Sequence, residues 1–159
     1  MENEMDVIAA HGEDILQSEN MILTRTFLQH GETSVYDHSV MVAARSIRIM
    51  RALGWALDER AIVRGALLHD YYLYDWHIRA GRKGLHGFRH PGIAFRNASC
   101  DFSLGRTERD IILHHMFPLT PIPPLTWEGL IVCICDKCCA LYETFPAFFA
   151  GISANIQRP

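Results

Sequence analysis

Hydrophobic residues recur at helical spacing along much of the chain. In the segment 34–54, apolar side chains that would share one helix face are Val40, Ala43, Ala44, Ile47 and Met50. Ser34 and Asp37 have the spacing of a capping box, and Gly54 stands where a helix commonly ends. The pattern therefore predicts an amphipathic helix across this segment.

Two other segments carry strong helical signals. A second helix is predicted to begin after Asp58, a good N-cap residue, and to run to the adjacent pair His69 and Asp70. Residues 125–145 form a long and nearly apolar helical segment, interrupted by Asp136 and Lys137. The pattern therefore predicts three helices with long apolar faces.

The remaining segments have weaker signals. Residues 12–30 are polar but compatible with a helix packed on the outside, and the glycine-containing residues 72–89 are predicted to form a loop. Pro91 is placed in the first turn of a further helix, and Thr107 and Asp110 repeat the capping spacing. Four prolines within residues 117–124 end that helix. The prediction is an all-α fold in one domain, residues 1–159, with its core at about 34–145.

Composition narrows the class of protein. The chain has 159 residues, 49% of them hydrophobic and 21% charged, which is typical of a folded globular domain. The net charge of −3 gives no reason to expect nucleic acid as a partner. The acidic N-terminus lacks the features of a secretory signal, and no apolar run is long enough to cross a membrane. We therefore expect a cytoplasmic protein with no membrane partner.

The five cysteines fit the same expectation. Four of them lie in the stretch CICDKCC at 133–139, and an odd total makes a poor disulfide framework. Cys135 and Cys138 form a CxxC motif, but no second cysteine pair accompanies it. We expect these cysteines to be small core residues of the last helix.

Candidate chemistry lies in histidines and carboxylates with apolar neighbours. Asp136 has no polar face to solvate it, and Lys137 is a poor partner because adjacent helical residues point about 100° apart. Neutral imidazoles and carboxylates that converge from several helices are ligands for divalent transition metals. A carboxylate can bridge two such ions, and Asp70 beside His69 is a candidate. The residues concerned are His38, His69, Asp70, His90, His114, His115 and Asp136.

The order of these residues resembles the HD-domain superfamily of metal-dependent phosphohydrolases, across residues 34–145. The resemblance implies a helical bundle of about six helices with a metal site in its core. The histidine-proline step at His90 and the following double histidine are similar to members with two metals, such as the HD-GYP phosphodiesterases. This resemblance implies one metal on His38, His69, Asp70 and Asp136, and a second metal on Asp70, His90, His114 and His115. His86 competes with His90 for its role.

By the same resemblance, two divalent transition metal ions (Fe, Mn, Co, Ni or Zn) would activate a hydroxide that hydrolyses a nucleotide or another small phosphate ester. Asp70 and Asp136 would also orient or deprotonate the attacking water, and are the predicted catalytic residues. Leu73 stands where relatives often have a lysine, and the glycine-tyrosine-proline signature of HD-GYP proteins is absent, so cyclic dinucleotide hydrolysis is not predicted.

Substrate phosphate is expected to contact the basic loop before His90, although a solvated surface loop is an equal alternative. Its basic residues are Arg79, Arg82, Lys83 and Arg89. Two other functions stay open: a di-iron oxygenase with a similar ligand set, and a non-catalytic nucleotide-binding regulator. The oligomeric state also stays open, with a homodimer among the options.

Overall fold

The computed structural model describes residues 3–78 and 86–145. Within these ranges it has seven α-helices, which confirms the all-α prediction and adds one helix to the expected number of about six. The helices are α1 Glu4–Leu16, α2 Glu19–Leu23, α3 Val35–Ala52, α4 Glu59–Leu68, α5 His86–Asp101, α6 Arg106–His114 and α7 Trp127–Thr144. A small antiparallel hairpin, β1 Leu28–His30 and β2 Thr33–Ser34, precedes α3.

The predicted boundaries of α3 and α4 are confirmed by their caps. Ser34 Oγ accepts a hydrogen bond from the backbone N–H of Asp37 at 3.1 Å, and Gly54 adopts the left-handed conformation (φ +65°) just beyond the end of α3. The Asp58 side chain accepts from the N–H of Ala61 at 2.9 Å and so caps α4. Local sequence therefore determines where these two helices begin.

Helix α4 is the centre of the molecule. It packs against α1 and α3, and also against α6, so every residue from Ala61 to Leu68 is buried. Gly65 allows α6 to approach closely, because a Cβ at this position would lie 2.5 Å from Ile111 Cδ1. The C-terminal end of α4 consequently delivers His69 and Asp70 into the middle of the bundle.

The prediction for residues 12–30 is wrong in part. Helix α1 ends at Leu16, Ser18 caps the short α2, and a 3-10 turn at Thr24–Thr26 leads into the hairpin. The segment is also not external throughout, since the side chains of Ile15 and Met21 are buried in the core. The chain turns at Gly31, whose φ of +57° suits glycine.

Two predicted helix starts also differ from the structure. Pro91 lies inside α5, which begins five residues earlier at His86. A proline fixes φ near its helical value and removes one donor, so a helix can pass through it near its start. Helix α6 begins at Arg106 and is not capped by Thr107. Asp110 instead accepts hydrogen bonds from the residues that begin α7.

The cysteines of α7 largely follow the prediction. Cys133, Cys135 and Cys139 are buried, whereas Cys138 is exposed. No helix in the described ranges combines the length and the apolar character that crossing a membrane would require.

Candidate metal centre

Five helices bring six of the predicted ligands together. His38 lies in the first turns of α3, His69 and Asp70 follow α4, and His90 lies on α5. His115 directly follows α6, and Asp136 lies in the middle of α7. All six residues are buried, and none has more than 7% of its surface exposed. Their ligand atoms form overlapping groups in which the atoms lie within 4.8 Å of one another.

The first group surrounds His69. Its Nε2 lies 3.3 Å from Asp70 Oδ2 and 3.6 Å from Asp136 Oδ1. His38 Nε2 lies 3.1 Å from Asp136 Oδ1 and 4.0 Å from Asp70 Oδ2. Two imidazole nitrogens and two carboxylate oxygens therefore face one another.

The second group shares Asp70 with the first. His90 Nε2 lies 3.0 Å from Asp70 Oδ1, and His115 Nε2 lies 3.5 Å from the same oxygen. The two imidazole nitrogens are 2.8 Å apart. Asp70 thus turns Oδ2 toward one group and Oδ1 toward the other, which is the arrangement that a bridging carboxylate requires.

The outer ring nitrogens of the four histidines all face oxygen atoms. A carbonyl or carboxylate oxygen can only accept, so each Nδ1 must donate. His38 Nε2 lies at hydrogen-bond distance from Asp136 Oδ1, and His90 Nε2 from His115 Nε2, so the protons in these contacts must leave before the rings, as neutral Nδ1–H tautomers, can bind a metal. This is the tautomer that a metal-binding histidine needs. The contacts are His38 Nδ1 to the Glu143 carboxylate at 2.9 Å, His69 Nδ1 to Ala66 O at 2.7 Å, His90 Nδ1 to His86 O at 3.2 Å and His115 Nδ1 to Ile112 O at 2.8 Å.

Two buried atoms in the cluster lack a hydrogen-bond partner among the described residues: His69 Nε2 and Asp70 Oδ1. Asp70 Oδ1 is close to His90, but the alignment is not that of a hydrogen bond. Such buried polar atoms cost about 1–3 kcal/mol each. Divalent cations would coordinate both atoms, and a set of imidazole and carboxylate ligands suits Fe, Mn, Co, Ni or Zn. The residues present therefore fit the predicted ions.

The cluster is electrostatically coupled. Burial opposes ionisation of Asp70 and Asp136, but hydrogen bonds and charge from the neighbouring histidines hold both carboxyl pKa values below their usual range. Burial also disfavours the charged form of His38, yet Asp136 and Glu143 raise its pKa to about 9. The carboxylates are therefore ionised, and a cation that binds His38 must displace a proton from its ring.

Two polar residues next to the cluster were not predicted from the sequence. Glu143 fixes the His38 ring, and it lies seven residues after Asp136, so helical periodicity places both on the same face of α7. Gln29 in β1 donates to Asp70 Oδ2 and accepts from the Tyr72 hydroxyl. No sequence signal identifies Gln29, because its position depends on the hairpin.

His114 does not join the cluster. Its Nδ1 lies 2.7 Å from Asp110 Oδ1, and the carboxylate of Asp110 also accepts from the start of α7. The two neighbouring histidines point in different directions, so only His115 is among the groups of converging ligand atoms in the described structure. His86 is outside these groups as well, and its ring stacks on His90 at a centroid distance of 4.6 Å.

Lys137, which the sequence predicts to be a poor partner for Asp136, makes only a long contact with it. Its Nζ lies 3.7 Å from Asp136 Oδ2, because the long side chain folds back along α7. This distance is too long for a hydrogen bond. The closest partners of Asp136 are nevertheless the histidines, as expected for a carboxylate that needs cationic neighbours.

A cavity of about 770 Å³ lies over the cluster. Its lining residues include Gln29, His30, Asp70, Trp76, His86, His90, His115, Met116, Pro118, Leu119, Asp136, Lys137 and Ala140. Of the basic loop, Arg79, Arg82 and Lys83 lie outside the described residues. Arg89 is exposed on α5 and does not line this cavity, so its contact with substrate stays a prediction.

Comparison with known proteins identifies a family to which the chain is similar. A family model described as HD domain matches residues 35–141, about two thirds of the chain. This range includes all six clustered residues. No curated protein and no solved structure matches the chain.

Proposed function

Because the chain belongs to the HD domain family, we propose that it is a metal-dependent phosphohydrolase with two divalent transition metal ions at this cluster. The substrate is a nucleotide or another small phosphate ester. The observation that carries the proposal is the common orientation of four histidines, which direct Nδ1 at outer oxygen atoms and Nε2 at the cluster of Asp70 and Asp136.

The ligand geometry supports two ions rather than one. His38 and His69 face Asp70 Oδ2, and Asp136 Oδ1 lies close to both of these rings. His90 and His115 face Asp70 Oδ1. A carboxylate that offers one oxygen to each group of ligands would reduce the repulsion between two dications bound there. This assignment omits His114, whose Nδ1 is held by Asp110.

Bound divalent ions would lower the pKa of a water molecule and polarise a phosphoryl oxygen. The chain itself holds the reacting groups in place. Asp136 turns Oδ1 toward the histidines and Oδ2 toward Lys137 at the cavity wall. We assign to Oδ2 the orientation of the attacking water, because this oxygen faces away from the histidines. Asp70 is held by Gln29 and keeps its two oxygens directed at the two groups.

The experiment begins with protein that is purified without chelators. We expect elemental analysis to find two transition metal ions per chain, and we expect the manganese-loaded protein to release phosphate from small phosphate esters without oxygen. Asp70→Asn removes the charge between the two groups of ligands and should abolish both metal binding and phosphate release. Asp75→Asn changes a partly exposed loop carboxylate outside the cluster and serves as the control.

Other results would contradict the proposal. Iron-dependent oxygen consumption without phosphate release would favour the di-iron oxygenase. Nucleotide binding with neither bound metal nor turnover would favour a regulator.

A further inference from the structure

Lys137 has a defined position at the cavity wall, one residue beyond Asp136. Its Nζ donates to the carbonyl oxygen of His115 at 2.5 Å and to that of Cys133 at 3.3 Å, and it lies 3.4 Å from Cys133 Sγ. These contacts hold a flexible side chain next to the cluster, although 37% of the side chain stays exposed. Nζ also lies 3.7 Å from Asp136 Oδ2. Because thiol sulfur is a weak acceptor, an anionic ligand can replace Cys133 Sγ as the third partner of the ammonium group.

Lys137 places a positive charge in the cavity wall. The chain has two lysines against thirteen arginines. Among the described residues that line the cavity, Lys137 is the one lysine or arginine, and the other ionisable cations there are histidines. A permanent positive charge at this position favours an anionic ligand next to the metal cluster.

The rest of the wall has a different character. Trp76, Met116, Pro118, Leu119 and Ala140 form a largely apolar surface that suits an uncharged organic group. A ligand that matches the whole cavity is therefore amphipathic, with its anionic end at the cluster and Lys137.

We propose that Lys137 binds a non-reacting oxygen of the substrate phosphate and thereby selects phosphate monoesters over diesters. The inference rests on the proposed function. A monoester has three non-bridging oxygens and a diester has two. Two of these oxygens suffice to face two metal ions, so only a monoester has a third for Lys137. The preferred substrate class is a phosphate monoester of an apolar or planar organic group.

The kinetic test compares p-nitrophenyl phosphate with bis(p-nitrophenyl) phosphate. Lys137→Met should raise KM for the monoester about tenfold or more with a smaller change in kcat, because a contact made equally in the ground and transition states is uniform binding. KM for the diester should change less than about threefold, and Lys137→Arg should recover part of the monoester affinity. Arg48→Met, which removes an exposed charge from α3, is the control.

A second readout does not depend on turnover. With only two lysines, protein labelled with 15N-lysine gives two side-chain Nζ signals, and Lys83→Arg identifies that of Lys137. Inorganic phosphate added to the metal-loaded protein should shift this signal and bind at least tenfold more weakly to Lys137→Met. If Lys137→Met does not fold, the phosphate titration of the wild type still tests whether the Lys137 Nζ signal responds to phosphate.

Failure of this inference can be distinguished from failure of the proposed function. If the wild type hydrolyses esters but Lys137→Met keeps the same preference for monoesters, the role assigned to Lys137 is wrong. The proposed phosphohydrolase function is then still supported. An unchanged Lys137 signal in saturating phosphate also overturns the inference. If the wild type hydrolyses neither ester, the proposed function fails.

Discussion

His114 and His115 are adjacent in the chain but make different contacts. His115 directs Nε2 at Asp70, whereas His114 Nδ1 bonds to Asp110. We expect His115→Ala to lose one of two bound metal ions per chain. His114→Ala should retain both ions and lose some stability, because it removes a contact at the junction of α6 and α7. Elemental analysis of the two variants checks this, and equal metal loss in both would contradict the assignment.

Glu143 acts on the cluster through His38. Its carboxylate accepts from His38 Nδ1 at 2.9 Å and 3.0 Å, which fixes the ring and increases the basicity of Nε2. Glu143→Gln keeps an acceptor but removes the charge, so we expect metal affinity to fall roughly tenfold to a hundredfold. Competition with a chelating dye measures the affinity. Glu32→Gln, at an exposed turn position, should leave the affinity unchanged, and a loss there as large as in Glu143→Gln would refute the mechanism.

At the residue scale, the sequence predicts ligand types better than ligand orientations. Asp136 could be recognised because a lone carboxylate among apolar residues needs partners, and the structure provides His38 and His69. The choice between His114 and His115 could not be made, because it depends on a rotation of about 100° around α6. That rotation follows from tertiary contacts of α6 and not from local capping.

At the element scale, helices with their own caps were predictable and the hairpin was not. Helices α3 and α4 carry N-cap residues and periodic apolar faces, so local sequence and packing agree. Strands β1 and β2 have three and two residues, which is too short for an alternating pattern. The hairpin depends on close packing against α7, since a Cβ on Gly31 would lie 2.8 Å from the backbone oxygen of Glu143.

The spacing between α4 and α6 is set by Gly65. We expect Gly65→Ala to destabilise the protein by roughly 1–3 kcal/mol, because its Cβ would lie 2.5 Å from Ile111 Cδ1 and overpack the core. It should also weaken metal binding, since moving α4 away from α6 separates Asp70 from His115. Urea unfolding and metal titration measure the two effects.

Gly92 on α5 is the matched control for this substitution. A Cβ at this position meets no atom within 4 Å, so Gly92→Ala should gain roughly 0.5–1 kcal/mol from helix propensity alone. A stable Gly65→Ala variant with unchanged metal affinity would show that the close approach of the two helices is not needed.

At the scale of the whole molecule, the metal ligands come from five helices, and His38 and Asp136 are 98 residues apart in sequence. Such a site forms only when α3 and α7 are docked, so the unfolded chain cannot reproduce it. Ions that bind only the folded state stabilise it by about 2.7 kcal/mol per site at a hundredfold excess over Kd.

This linkage predicts the effect of metal removal. Chelation should lower the Tm by roughly 5–10 °C for each site emptied, because 1 kcal/mol corresponds to about 2–4 °C in a protein of this size. Asp70→Asn should unfold at the same temperature with and without chelator, since it lacks the carboxylate that joins the two groups. Calorimetry of both proteins with added manganese and with chelator measures the difference. Equal Tm values for the wild type in both conditions would mean that bound ions do not contribute to the stability of the folded protein. The buried Nε2 of His69, which has no hydrogen-bond partner among the described residues, would then need another explanation.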